Sequence, residues 1–314
     1  MQRPSSRTRP DGTSPERGRS DAIWPAFAAY AIALFLVLVA TVVVLLTVAA
    51  VRVDGAIARI GPELARFGLS AAGVMLAAGV SAVVLIAVAL VAARLEGRSP
   101  RNGGLAERLR LGRSRATATG LIATLVGMVG LSLASGAASE LLAGHDTNAA
   151  IEQIRSALSH LGFIRVPLAV AAIAVGPGIA EEIFFRGFLQ KPLIARWGRW
   201  PGIAIAAFAF GLMHLDLVQG ALAVAAGLLL GWVAERFESI RPAIAAHVAN
   251  NAMFVVLVPF THSSANSRAA NLVALTGGTI VLLVAIAVLK KSIAIRPTLE
   301  QAKLIARANP GGVA

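Results

Sequence analysis

The sequence predicts an all-α fold, a polytopic membrane bundle of about eight transmembrane helices. Three observations predict it. The 314-residue chain is 57% hydrophobic and 14% charged, whereas a soluble domain carries about 25% charge, and its mean hydropathy is +0.74. Four stretches, Ile23–Val51, Phe67–Ala93, Ala116–Ser139 and Ala269–Leu289, contain no Asp, Glu, Lys or Arg. Each exceeds the roughly 18–20 residues that cross a bilayer core as a helix. Basic residues, finally, gather between and beyond these stretches. The spanning segments must be helices, because lipid satisfies no backbone polar group.

In chain order, residues 1–22 read as a disordered basic tail, rich in Arg, Ser, Pro and Gly. Residues 23–143 hold three spans. The first is too long for a signal-peptide core and lacks a clear cleavage site, so it reads as a retained anchor. The loop 94–115 carries seven arginines (Arg94, Arg98, Arg101, Arg108, Arg110, Arg113 and Arg115) against Glu96 and Glu107. The tail 290–314 carries Lys290, Lys291, Arg296, Lys303 and Arg307. The positive-inside rule puts both tails and this loop in the cytoplasm of a multi-pass cell-membrane protein, and an even span count agrees.

Segment 144–165 reads as an amphipathic outer helix. Asp146-Thr147-Asn148 offers N-cap residues, and Ile151, Ile154, Leu158 and Leu161 recur at helical spacing. Segment 166–260 differs from the spans before it. Span 4 starts near Val166 and is expected to be interrupted at Gly176-Pro177-Gly178. Span 5 runs from about Trp200 to His214. Span 6, Leu217–Ala234, carries Gly227 and Gly231, a pair that permits close helix contact. Span 7 begins near Arg241-Pro242. Residues 269–289 form the last, ordinary span.

Some functions are excluded early. The net charge of +13 lies in loops and tails rather than along a stripe of a soluble fold, which speaks against nucleic acid as a partner. With no cysteine, neither a disulfide nor a thiol nucleophile exists. The partners expected are membrane lipid and a membrane-associated or lipidated peptide.

Charge in the apolar core carries the functional signal. From Val166 to Ala180 no charge occurs, and then Glu181, Glu182 and Arg186 follow together. One charge at the bilayer centre costs about 2.5–3.5 kcal/mol on insertion scales. On a helix Glu182 and Arg186 are i,i+4 and can pair. Glu181 is turned about 100° from Glu182 and can face something else. Glu182 and Arg186 thus read as the support and Glu181 as the working group. His214 closes span 5; alone, it reads as an interfacial residue. His247 and Asn251 share a face of span 7, with Asn250 close by. They can donate to a developing oxyanion, and alone they serve equally as interhelical hydrogen-bonding groups. Phe184, Phe185 and Phe188 read as lipid or helix packing, and His145, His160 and His262 carry no role.

The ordered set Glu181-Glu182-x-x-x-Arg186, Phe210-x-x-x-His214 and His247-x-x-x-Asn251 resembles the CAAX prenyl endopeptidase type II and bacteriocin-processing (Abi-like) family of intramembrane proteases. The resemblance covers about residues 166–257. It implies that Glu181 is the general base on a water shared with His214, that His247 and Asn251 form the oxyanion hole, and that Glu182 and Arg186 support the site. It implies an endopeptidase without a cofactor. Were zinc held after all, Glu181, His214 and His247 would be its ligands, although the His-Glu-x-x-His signature is missing. Two other readings stand beside it: a non-proteolytic scaffold or bacteriocin-immunity protein of the same fold, and a proton-coupled transporter. The absence of an internal repeat weighs against the transporter.

Depth makes a further expectation. At 1.5 Å per residue, His214 lies about 20 Å from Pro201, and Glu181 lies about 22 Å from the inner end of its helix if that helix continues to Arg196. Those two meet at one depth. His247 reaches them if span 7 starts early, near Glu238, or if a cavity opens to the cytoplasm.

Overall fold

The computed structural model describes residues 23–96, 104–143, 149–159, 161–257 and 267–292. Residues 1–22 and 293–314, His145, the N-cap candidates Asp146-Thr147-Asn148, His160, His262 and part of the arginine-rich loop lie outside the described residues. Among those described, the regular elements are all helices. In chain order they are α1 (Trp24–Arg52), α2 (Ile57–Gly68), α3 (Ala71–Glu96), the single turn α4 (Leu105–Arg108), α5 (Ala118–Ala143), α6 (Ala149–Ser159), α7 (Phe163–Trp197), α8 (Arg199–Leu212), α9 (Leu217–Arg236), α10 (Arg241–Leu257) and α11 (Arg268–Lys291).

Six of these, α1, α3, α5, α7, α9 and α11, are long and apolar enough to cross a membrane. The other two expected spans are shorter: α8 has 14 residues and α10 has 17. A polytopic helical bundle is therefore present, with six full-length spans rather than a demonstrated eight. The surface fits lipid. Phe35, Val42, Val83, Ile122, Val273 and Leu283 point outward, which in water would be an aggregation hazard.

Between α1 and α3 the chain forms the short helix α2, on which the charge-free runs are silent. Its inner face seats Phe67 and Glu63, and Glu63 takes Arg52 Nη1 at 3.2 Å and Arg66 Nε at 2.8 Å. α7, expected to break at Gly176-Pro177-Gly178, runs unbroken for 35 residues. Wider π-turns at Val170–Val175 and Ile183–Leu189 flank an α-helical Gly176–Glu182. Pro177 stands at the start of that α-helical stretch, the position where a proline is best tolerated, and the helix carries on.

Glycine brings α7 and α10 together. A Cβ placed on Gly178 would stand 2.8 Å from Val248 Cγ2 and 3.2 Å from Val248 N. Only a residue with no side chain lets α10 lie this close, and His247 is the neighbour of Val248. The aromatic residues of the motif are core: Phe184, Phe185 and Phe188 are buried, and Phe185 meets Phe184 at 5.1 Å and Phe210 at 5.0 Å between ring centroids. Of the two expectations for them, helix packing is the one realised.

Candidate active site

Glu182 is the hub. It is fully buried on α7, and its Oε1 accepts from Arg186 Nη1 at 2.7 Å and from His247 Nδ1 at 2.8 Å. The first bond is the i,i+4 pair expected along one helix. The second crosses to α10 and is made possible by the contact at Gly178. A carboxylate oxygen only accepts, so Nδ1 of His247 carries a proton. That orients the ring and leaves Nε2 pointing away from Glu182.

Nε2 of His247 faces Glu181, whose Oε2 lies 3.5 Å away. The two adjacent glutamates therefore address opposite edges of one imidazole. Glu182 is dry, while the Glu181 side chain keeps 17% of its accessible surface. That difference suits Glu182 to holding and Glu181 to meeting a water or a substrate.

Phe210 ties in the third helix. Its ring makes edge contacts with His214 at 5.0 Å and with His247 at 5.8 Å, and the Arg186 guanidinium lies over it at 4.6 Å. His214 sits just past the end of α8, in the turn before α9, and its Nδ1 donates to Phe210 O at 3.0 Å. A carbonyl only accepts, so the lone pair of His214 is on Nε2. The turn is closed by Leu215 at φ 53 and by Asp216, whose carboxylate caps α9 through Gln219 N at 2.7 Å.

His214 and His247 thus flank Phe210, Arg186 lies over its ring, and Glu181 meets the site through His247. Asn251 lies one turn beyond His247 on α10 and is partly exposed; among the described residues no hydrogen bond joins it to Glu181, His214 or His247. Asn250 points elsewhere, accepting from Ser132 Oγ of α5 at 2.5 Å. α10 begins at Arg241, not near Glu238, which has φ 52 and stands before the helix. The expected early start is not found. The long α7 and the approach at Gly178 bring Glu181 to His247 instead.

Among the described residues no three His, Asp or Glu side chains are grouped so as to hold a metal ion. His247 Nδ1 is taken by Glu182, and Glu182 Oε1 also serves Arg186. Glu181, His214 and His247 are thus not grouped as a zinc ligand set among the described residues.

Sequence reasoning missed several residues here. Gln190 lies one turn beyond Arg186 and is fully buried, and its Nε2 donates to Gly231 O and to Glu235 Oε1, each at 3.1 Å. The spacing 182, 186, 190 was a usable signal, being one polar residue per turn on an otherwise apolar helix. Arg110, which pairs with Glu235, had no such signal.

The fold and this cluster define a class: a polytopic helical membrane protein with a buried Glu–His–Arg centre joining two helices, α7 and α10. Residues 163–253, which span α7 to most of α10 and contain every residue just described except Arg110 and Ser132, match the family model of the Type II CAAX prenyl endopeptidase Rce1-like proteins. Over this stretch, less than a third of the chain, it is similar to that family. Neither the curated proteins nor the solved structures gave a match.

Proposed function

We propose that the protein is an intramembrane endopeptidase that hydrolyses a peptide bond in a membrane-associated or lipidated polypeptide. The observation that carries this reading is the placement of His247 between Glu182 at 2.8 Å and Glu181 at 3.5 Å, within a stretch matching a peptidase family. Amide hydrolysis needs an activated water and donors for the tetrahedral oxyanion.

In this mechanism Glu181 takes a proton from water as the water oxygen bonds to the carbonyl carbon. His214, its lone pair on Nε2, helps hold that water. His247, held by Glu182 through Nδ1–H, donates to the oxyanion from Nε2 when its ring is doubly protonated, together with the amide of Asn251. The intermediate then collapses. The C–N bond breaks, and Glu181 returns its proton to the leaving amine. Arg186 offsets the charge of Glu182, so that the support carries no net charge in a low-dielectric interior. The arginine-rich side faces the cytoplasm, and no metal or other cofactor takes part.

The test is purified protein in lipid nanodiscs with a fluorogenic library of farnesylated and unmodified peptides. Wild type is expected to cleave a subset, and Glu181→Ala none of it. Equal cleavage by both proteins removes Glu181 from the mechanism, and cleavage by neither removes the peptidase reading.

A further inference from the structure

The buried polar chemistry does not end at Arg186. Glu182, Arg186 and Gln190 follow one another at one-turn intervals on α7, and all three are fully or almost fully buried. Arg186 and Gln190 lie against the small-residue strip of α9. A Cβ on Gly227 would stand 3.3 Å from Arg186 Nη2, and one on Gly231 would stand 2.5 Å from Gln190 Oε1. These two glycines make room for polar side chains between α7 and α9, where the strip alone reads as an ordinary helix contact.

Gln190 then hands the chain of contacts onward. Its Nε2 bonds Glu235 Oε1 at 3.1 Å near the end of α9. The same oxygen takes Arg110 Nη1. Arg110 belongs to the arginine-bearing connection before α5, and that connection is stitched down on both sides. Ile240 N donates to Arg110 O at 3.0 Å, Arg115 N to Phe237 O at 3.0 Å, and Ser239 Oγ to Gly112 O at 3.0 Å. The preceding residue, Leu109, is buried, and its carbonyl sits where a Cβ of Gly187 would be, 2.8 Å away. Arg110 itself has φ 57, a left-handed conformation unusual for a side chain of its size and kept only where neighbours over-determine it.

We propose that Arg110, Glu235 and Gln190 are positioning residues for the active site. They fix the register of α7 against α9, and with it the Glu182 carboxylate that orients His247. The arginine-bearing connection is thereby part of the catalytic scaffold rather than only a topology signal. A change in its seating reaches Glu181 through a run of neighbouring side chains: Arg110, Glu235, Gln190, the turn to Arg186 and Glu182, and His247. This rests on the peptidase reading for its kinetic consequence but not for its structural one.

The experiment uses full-length protein in nanodiscs, wild type against Glu235→Gln, Gln190→Leu and Arg110→Ala, with two readouts. The first is cleavage of the best peptide from the library. kcat is expected to fall at least tenfold with KM within twofold, because misplacement of a general base or its partner by about 1 Å can cost 10²-fold. The second is the ¹⁵N spectrum of the histidine rings, with the His247 signal assigned by His247→Gln. Its Nδ1 resonance is expected to move in each variant. If wild type cleaves nothing, the peptidase reading fails, and the ring spectrum alone still decides the positioning claim. If Gln190→Leu does not fold, Arg110→Ala, at the rim of the bundle, carries the same test. An unmoved His247 resonance, with kcat within twofold of wild type wherever cleavage is measured, overturns the proposal.

Discussion

Oε1 of Glu182 lies 2.8 Å from His247 Nδ1 and 2.7 Å from Arg186 Nη1. One buried oxygen therefore fixes a cation on its own helix and an imidazole on another. Removing a carboxylate from such a site leaves a guanidinium buried without compensation, a loss of about 3–5 kcal/mol. Glu182→Leu is expected to lower the thermal midpoint sharply and to abolish cleavage. Glu182→Gln removes the same charge but keeps a carbonyl acceptor for Arg186, and is expected to lose less stability than Glu182→Leu. A thermal-shift series in nanodiscs across the two variants checks the order.

Glu181 is expected to behave in the opposite way. It is partly open, and its ion-pair contact among the described residues is with His247. Glu181→Gln should leave the unfolding midpoint close to wild type, as peripheral substitutions stay within about 0.5 kcal/mol. Turnover on any cleaved peptide should fall at least a hundredfold. Paired stability and kinetic measurements separate this role from that of Glu182.

Gly178 makes a prediction about placement. Alanine there meets Val248 Cγ2 at 2.8 Å and the Val248 backbone just beyond. Overpacking of this kind costs about 1–3 kcal/mol, and α10 must shift away from α7. Gly178→Ala is expected to reduce kcat more than KM, because His247 moves with Val248. Val248→Ala in the same chain removes the methyl that clashes and should restore part of the rate; a double variant as slow as the single one would show that backbone contact dominates.

Glu63 lies outside the spans, on α2, and supplies a pH prediction. Its hydrogen bond from Arg66, with a further one from Arg52, holds its carboxyl below the ordinary carboxylate range. In the unfolded chain the group binds its proton at higher pH, so stability rises with pH across that interval. The contribution is complete above the ordinary carboxylate value and is lost as pH falls through the lowered folded one. Hydrogen exchange in α2 should therefore accelerate as pH is lowered from 6 towards 3, after correction for intrinsic exchange. In Glu63→Gln that acceleration should disappear.

The membrane class was legible because it depends on local quantities. Runs without charge are counted along the chain, and the structure returns them nearly residue for residue in α1, α3, α5 and α11. The pairing of Glu182 with Arg186 was legible for the same reason, since helical spacing alone puts them side by side. α2 was less so: its amphipathic pattern is short, and a charge count passes over it. The continuity of α7 was not legible, because Gly-Pro-Gly ordinarily ends a helix and only packed neighbours make π-turns the better solution.

By itself, then, the sequence determined which residues are expensive to place in lipid, and so which few side chains must be satisfied by one another. It could not determine which partner each would take. Glu182 meets His247 across 65 residues, and Gln190 meets Glu235 across 45. Such pairings depend on how closely helices approach, which is decided where glycines 178, 227 and 231 let backbones and polar side chains come together. Close approach is a property of two surfaces at once, and only the folded bundle brings both surfaces to the same place.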